Sequence, residues 1–254
     1  MNIISSIRSL IQPSYCSCCA ESLQPLGAGA LAPAAFKVGN VGDYYQVGST
    51  TVHHVYSARN AFPGGPVDNN VGMFCALTSP TSALIFGTGY GDVRQGGAGN
   101  ARSALDDADH CIGALSSSGL LAAATYVVPH GHGDHINPAF VAAMESLGAT
   151  TTNIHYHSGD KRIVEAMPWT AAQRAALSAV TAKSCWFTPL TFSSDAGAIF
   201  KFISRPGHTP GAIDMDVFDL LTDYKILVLG SKDSTRCPRV GYSKIVQAHG
   251  NGTL

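Results

Sequence analysis

Short apolar runs broken by turn residues fill the first half of the chain, and strands alternate with helices in the second. Tyr45, Val47, Val52 and Val55 suggest short strands interrupted by Gly48. Apolar runs at 71–77 and 83–86 flank Ser79-Pro80, the pattern of a hairpin. A glycine-rich loop over 87–99 follows. Residues 101–115 then carry apolar positions at helical spacing, with Asp106, Asp107 and Asp109 on the wet face. Residues 124–128 read as a buried strand. Asn137-Pro138 is a helix start, because Asn caps the free N–H groups and Pro is preset for the first helical position. That helix places Phe140, Val141, Met144 and Leu147 on one side and stops at Gly148. The spacing further predicts a strand over 153–157, a helix over 170–181, an alternating strand over 198–204 and an apolar strand over 225–229 ending at Gly230. The class is α/β with a mixed rather than purely parallel sheet.

Composition narrows the partners. Of 254 residues, 45% are hydrophobic and 13% charged, which excludes wholesale disorder. Sixteen Lys+Arg against seventeen Asp+Glu leave no basic surplus, so no nucleic-acid partner is expected. No run approaches the roughly 18 apolar residues of a membrane span, so no membrane partner is expected either. Residues 1–43, rich in Ser, Pro, Gly and Ala without a sustained period, read as an N-terminal extension to a domain at 44–254. The first residues lack the long apolar stretch of a cleaved signal peptide, and a cytoplasmic location is expected. Cys75, Cys111, Cys185 and Cys237 read as small core residues. Cys16, Cys18 and Cys19 crowd together but lack the paired spacing of a structural zinc site, and their role stays open.

The chemistry is concentrated at Val127-Val-Pro-His130-Gly-His132-Gly-Asp134-His135. Four ligand-type residues fall within six positions at a strand-to-helix junction. In extended backbone, residues two apart point to one side, so His130, His132 and Asp134 can converge. His135 comes where the chain begins to coil and can face the same pocket from another angle. Gly131 and Gly133 leave room for crowding around an ion and let the backbone bend. Neutral imidazole and carboxylate form the ligand set of zinc, and also suit iron or manganese.

At this motif the sequence resembles the metallo-β-lactamase superfamily, whose hallmark is HxHxDH on such a junction. Ser204-Arg-Pro-Gly-His208-Thr-Pro-Gly211 is similar to the family's second signature, GHTPG after a strand. Ala83-Leu-Ile-Phe-Gly-Thr-Gly-Tyr-Gly91 resembles its early LIDTG loop, with Gly87 in place of the customary Asp. The resemblance implies an αββα sandwich of two mixed β-sheets with outer helices, and a catalytic domain over 44–254. It assigns His130, His132 and His208 to one divalent metal ion and Asp134, His135 and His249 to a second, with Asp233 bridging. Ser231 competes with Asp233 for the bridging position, because the usual Gly-Asp pair is disturbed at Gly230-Ser231.

Two metal ions, zinc first and iron or manganese as alternatives, imply a hydrolase that generates hydroxide near neutral pH. Asp134 is expected to orient the nucleophile or relay a proton to the leaving group. Low charge favours a small neutral acyl substrate, a lactone or β-lactam and then a thioester. Hydrolysis of a phosphodiester, as in the superfamily's nucleases, is the alternative, with Lys161, Arg162, Arg205, Lys232, Arg236 and Arg239 as the available cations. A catalytically inactive metal-binding relative is a third reading, and iron with oxygen-dependent activity would point to a persulfide-dioxygenase branch. His155 and His157, two apart on one strand face, are candidate substrate contacts. His53, His54 and His110 are not needed for the site, and Trp169, Trp186 and Phe187 read as core. The substrate and the oligomeric state are left open.

Overall fold

The computed structural model describes residues 36–38, 44–47, 50–59, 70–79, 81–88, 104–115, 121–133, 135–181, 190–193, 197–222, 224–230 and 242–247. Two mixed sheets pack face to face. The first has seven strands in the order β2 (Tyr44–Val47), β3 (Thr50–Arg59), β4 (Asn70–Ser79), β5 (Ser82–Phe86), β6 (Ala123–Val127), β7 (Thr150–His157) and β8 (Leu177–Val180). Its first four strands are antiparallel neighbours, and β5 to β8 run parallel. The second sheet has six strands in the order β1 (Phe36–Val38), β13 (Lys244–Gln247), β12 (Lys225–Leu229), β11 (Ile213–Asp219), β10 (Ala198–Ser204) and β9 (Leu190–Ser193). Strand β1 comes from the segment read as an extension and pairs in parallel with β13.

Period-two alternation assigns each side chain to a layer. Along β5, Ala83 and Ile85 join the core under the helices, while Leu84 and Phe86 join the core between the sheets. Phe200 and Phe202 of β10, Met215 and Val217 of β11, and Ile226 and Val228 of β12 complete that inner layer. Phe86 stacks on Phe202 across it at 6.0 Å. Helices α1 (Ala104–Leu115) and α2 (Pro138–Ser146) cover the seven-stranded sheet with buried Ala108, Cys111, Phe140, Val141 and Met144. Cys75 and Cys111 are both buried there, with sulfurs 3.2 Å apart. Cys185, Cys237, Trp186, Phe187 and the Cys16/Cys18/Cys19 cluster lie outside the described residues.

Local signals behave as physics requires. The Asn137 side chain accepts from the Ala139 N–H at 2.8 Å, and Gly148 takes φ 101 to end the chain's helical course. The helix expected over 170–181 is shorter. Its start is a full capping box between Thr170 and Gln173, but this helix, α4 (Ala171–Ala176), ends at Ala176. Leu177–Val180 turns extended and pairs in parallel with β7, so sheet extension overrides local helix preference. A turn at Ser158–Asp160 and the short α3 (Lys161–Glu165) fill the stretch between. Trp169 is buried and donates its indole N–H to the Val164 carbonyl at 2.7 Å. No helix among the described residues is long and apolar enough to cross a membrane.

Candidate metal centre

Five strands deliver their carboxyl ends to one edge of the sandwich, where loops can fan out without disturbing the ladders. β6 runs into residues 128–135, β7 into the turn ending at Asp160, and β5 into Gly87-Thr88; β10 leads to 205–212 and β12 to Gly230. Backbone bonds fasten these ends together. Gly87 N–H donates to Val127 O at 3.0 Å, and Thr88 N–H donates to His135 O at 3.1 Å. The Gly87-Thr88 loop is thus anchored through its main chain. Ile213 N–H donates to Pro129 O at 2.7 Å and joins the two sheets beside the histidines.

His130, His132 and His208 meet at this edge. Their ring centroids lie 5.0, 4.6 and 4.8 Å apart in pairs, with the rings close to mutually perpendicular. Each offers a nitrogen within 4.8 Å of the others; His130 is buried, whereas His132 and His208 are partly exposed. The His130 Nδ1 lies 3.0 Å from the Gly230 carbonyl. A carbonyl only accepts, so Nδ1 carries the proton and Nε2 presents its lone pair. Gly230 N–H in turn donates to Asp214 Oδ1 at 2.8 Å, and Arg205 Nε donates to Asp214 Oδ2 at 3.1 Å. The Gly230 backbone, with its N–H on Asp214 and its carbonyl on His130, therefore couples the buried ion pair to the orientation of His130.

The donor set fits a divalent ion. Zinc–nitrogen bonds of about 2.1 Å in tetrahedral geometry put ligand nitrogens about 3.4 Å apart, so shifts on the order of one ångström would close the cluster. Three protein ligands leave a coordination position for water or substrate. The neighbouring His135 is buried, with its ring 4.0 Å from that of His130. His135 and Ile136 both donate their N–H groups to the His132 carbonyl, at 2.9 and 3.1 Å, which forms the tight turn of the motif. Asp134, Asp233, Ser231 and His249 lie outside the described residues, as do Lys232, Arg236 and Arg239.

His155 and His157 share the face of β7 opposite Ile154 and Tyr156, which enter the core under the helices. Burial pushes both imidazoles below their usual pKa, an effect that the Asp160 charge partly opposes at His157. His157 Nδ1 accepts from Gly159 N–H at 3.0 Å, and its Nε2 lies 3.4 Å from Ser204 Oγ. His157 therefore caps the turn that presents Asp160. Asp160 is a residue the sequence reading passed over. Its carboxylate accepts from Gly131 N–H at 2.7 Å, Thr209 Oγ1 at 2.7 Å and Gly211 N–H at 2.9 Å. No local pattern announces it, because those partners lie 29 to 51 residues away.

The two motif glycines differ in purpose. A Cβ at Gly131 would come 3.0 Å from the Asp160 Cβ, whereas one at Gly133 would meet nothing within 4 Å among the described residues. Close approach to Asp160, rather than crowding of ligands at both positions, is what Gly131 provides.

No protein-family model matches the chain, and no curated protein matches it. Among solved structures it is similar to MEM-A1, a subclass B3 metallo-beta-lactamase isolated from a soil metagenome library. That match has 12% identity and a TM-score of 0.43 over 75% of this chain and 62% of that one. It is also similar to the metallo-beta-lactamase GOB-18 from Elizabethkingia meningoseptica, at 11% identity and TM-score 0.43, over 78% of this chain and 67% of that one. A beta-lactamase from Chitinophaga pinensis matches at 17% identity and TM-score 0.38, over 82% of this chain and 65% of that one. The chain spans about six tenths of the length of the first of these, 62%. At these scores the likeness decides nothing about the chemistry, which rests on the chain's own residues.

Proposed function

We propose that the chain is a metal-dependent hydrolase of the metallo-β-lactamase superfamily, opening the acyl bond of a small neutral molecule, a lactone or β-lactam before a thioester. The observation that carries this reading is the meeting of His130, His132 and His208 from two distant motifs, with ligand nitrogens within 4.8 Å of one another. His130, His132 and His208 would hold one divalent ion, most simply zinc. Asp134, His135 and His249 would hold a second, with Asp233 as the bridge. When bound, such ions polarise a substrate carbonyl and make water nucleophilic near neutral pH. The protein's own part is positioning. Gly230 O fixes the tautomer of His130, and Asp134 would orient the nucleophile or relay a proton to the leaving group.

Phosphodiester hydrolysis finds less support. Arg205, one of the cations available to such a substrate, is 10% exposed and directed onto Asp214. Lys161 sits in an exposed pair with Glu165 at 3.9 Å.

The test is a panel of β-lactams, acyl lactones, thioesters and bis-aryl phosphates, run with and without a chelator beside metal analysis of the protein. Turnover of a lactone or lactam that the chelator abolishes, and that His132→Ala reduces by a factor of about 100 or more, is the expected result. Full activity in His132→Ala, or turnover indifferent to the chelator, would remove the mechanism.

A further inference from the structure

We propose that Asp160 is the positioning residue of the metal centre: its carboxylate ties the loop of His130 and His132 to the loop of His208 and sets their mutual geometry. The inference rests on the metal reading above and adds a residue to it. Asp160 is 1% exposed, and among the described residues no Lys or Arg pairs with it. Three neutral donors meet it instead. Oδ2 accepts both the Gly131 N–H, between the two motif histidines, and the hydroxyl of Thr209, the residue after His208. Oδ1 accepts the Gly211 N–H at the end of the same loop. One side chain, which coordinates nothing itself, thus touches the backbone on either side of the ligand cluster.

The surrounding glycines are explained by the same contact. A Cβ at Gly211 would lie 2.5 Å from the Asp160 Cγ, and one at Gly159 would lie 2.6 Å from the Pro210 carbonyl. Larger residues at those positions would force the loops away from the carboxylate. Burying an acidic side chain is costly unless hydrogen bonds compensate it. What it secures is a fixed separation of two loops that approach from different sheets. His157 strengthens the arrangement from below by capping the turn that carries Asp160.

The experiment compares zinc binding by the metal-free wild-type protein, Asp160→Asn, Thr209→Val and His132→Ala. Affinity is read by competition with a chromophoric chelator, at a temperature where circular dichroism shows each protein folded. The visible spectrum of the cobalt(II)-loaded form reports ligand geometry separately. Asp160→Asn keeps the side chain's shape but replaces one acceptor oxygen by a donor. It is expected to weaken zinc binding about 10- to 100-fold and to shift the cobalt bands, with Thr209→Val moving both in the same direction by less. Should Asp160→Asn fail to fold, Thr209→Val decides by the same reading. A folded variant that binds zinc within twofold of wild type, with unchanged cobalt bands, overturns the role of Asp160 while leaving the metal centre standing. Wild-type protein that binds neither zinc nor cobalt, or His132→Ala that binds as well as wild type, overturns the metal reading and this inference with it.

Discussion

Asp160 at the histidine edge and Asp216 on the outer face of the six-stranded sheet are buried alike, at 1% and 7% exposed, yet their surroundings differ. Asp160 receives three donors from two loops. Asp216 receives the Tyr242 hydroxyl at 2.8 Å and shares its side of β11 with Asp214. Burial pushes Asp216 up to about 6; the Tyr242 bond opposes this, the Asp214 charge adds to it, and Lys201 and Arg205 draw it back. The number and direction of donors decide what a buried acid does. At the edge it is a hub for backbone, and on the outer face its charge is held only weakly at neutral pH.

The largest expected effect sharpens that contrast from the outer face. Asp214→Ala leaves the Arg205 guanidinium, 10% exposed, and the Gly230 N–H without this acceptor. Chemical denaturation is expected to show a loss of about 3–5 kcal/mol. Because the Gly230 carbonyl orients His130, zinc affinity is expected to fall as well. A loss under about 1 kcal/mol with unchanged zinc binding would sever the outer face from the metal edge.

The second prediction concerns Asp216 and pH. Its folded pKa, about 6, lies above the ordinary aspartate value of 3.8, so the folded state holds the proton more tightly than the unfolded state. The stability this contributes is present below about pH 4 and is lost as pH rises through 6, a span of about 3 kcal/mol. The difference in unfolding free energy between wild type and Asp216→Asn is therefore expected to fall with rising pH across that window. A difference that stays level between pH 4 and 7 would mean that the two acids are treated alike after all.

The smallest effect is the control. Lys161, next in sequence to Asp160, forms an exposed pair with Glu165, and Lys161→Ala is expected to change stability by less than about 0.5 kcal/mol. Zinc affinity should not move. An effect on zinc as large as that of Asp160→Asn would show that local charge, not the three directed bonds, matters at this corner.

Much of this was legible along the chain. The hairpin around Ser79-Pro80, the helix capped at Asn137 and the strands at 198–204 and 225–229 all carry their cause locally, in alternation, caps and turn residues. The histidine motifs were equally plain as closely spaced ligand-type residues, although His130 and His132 meet through bends beyond the end of β6 and not through strand alternation. The truncated helix after Thr170 was not, because what ends it is pairing with β7 rather than any stop residue. Asp160 and Asp214 were missed for a related reason. An isolated acid in a turn or strand looks the same in sequence whether water or a loop 51 residues away receives it.

The sequence by itself determined most of the strands and helices and which residues can ligate a metal, because periodicity and donor chemistry are properties of neighbours along the chain. The tertiary structure alone decided that His208 meets His130 and His132, that a peptide group at Gly230 sets the tautomer of His130, and that Asp160 stands between the two loops. These depend on strand order and on close approach of backbones from different sheets, which packing fixes and local pattern does not encode.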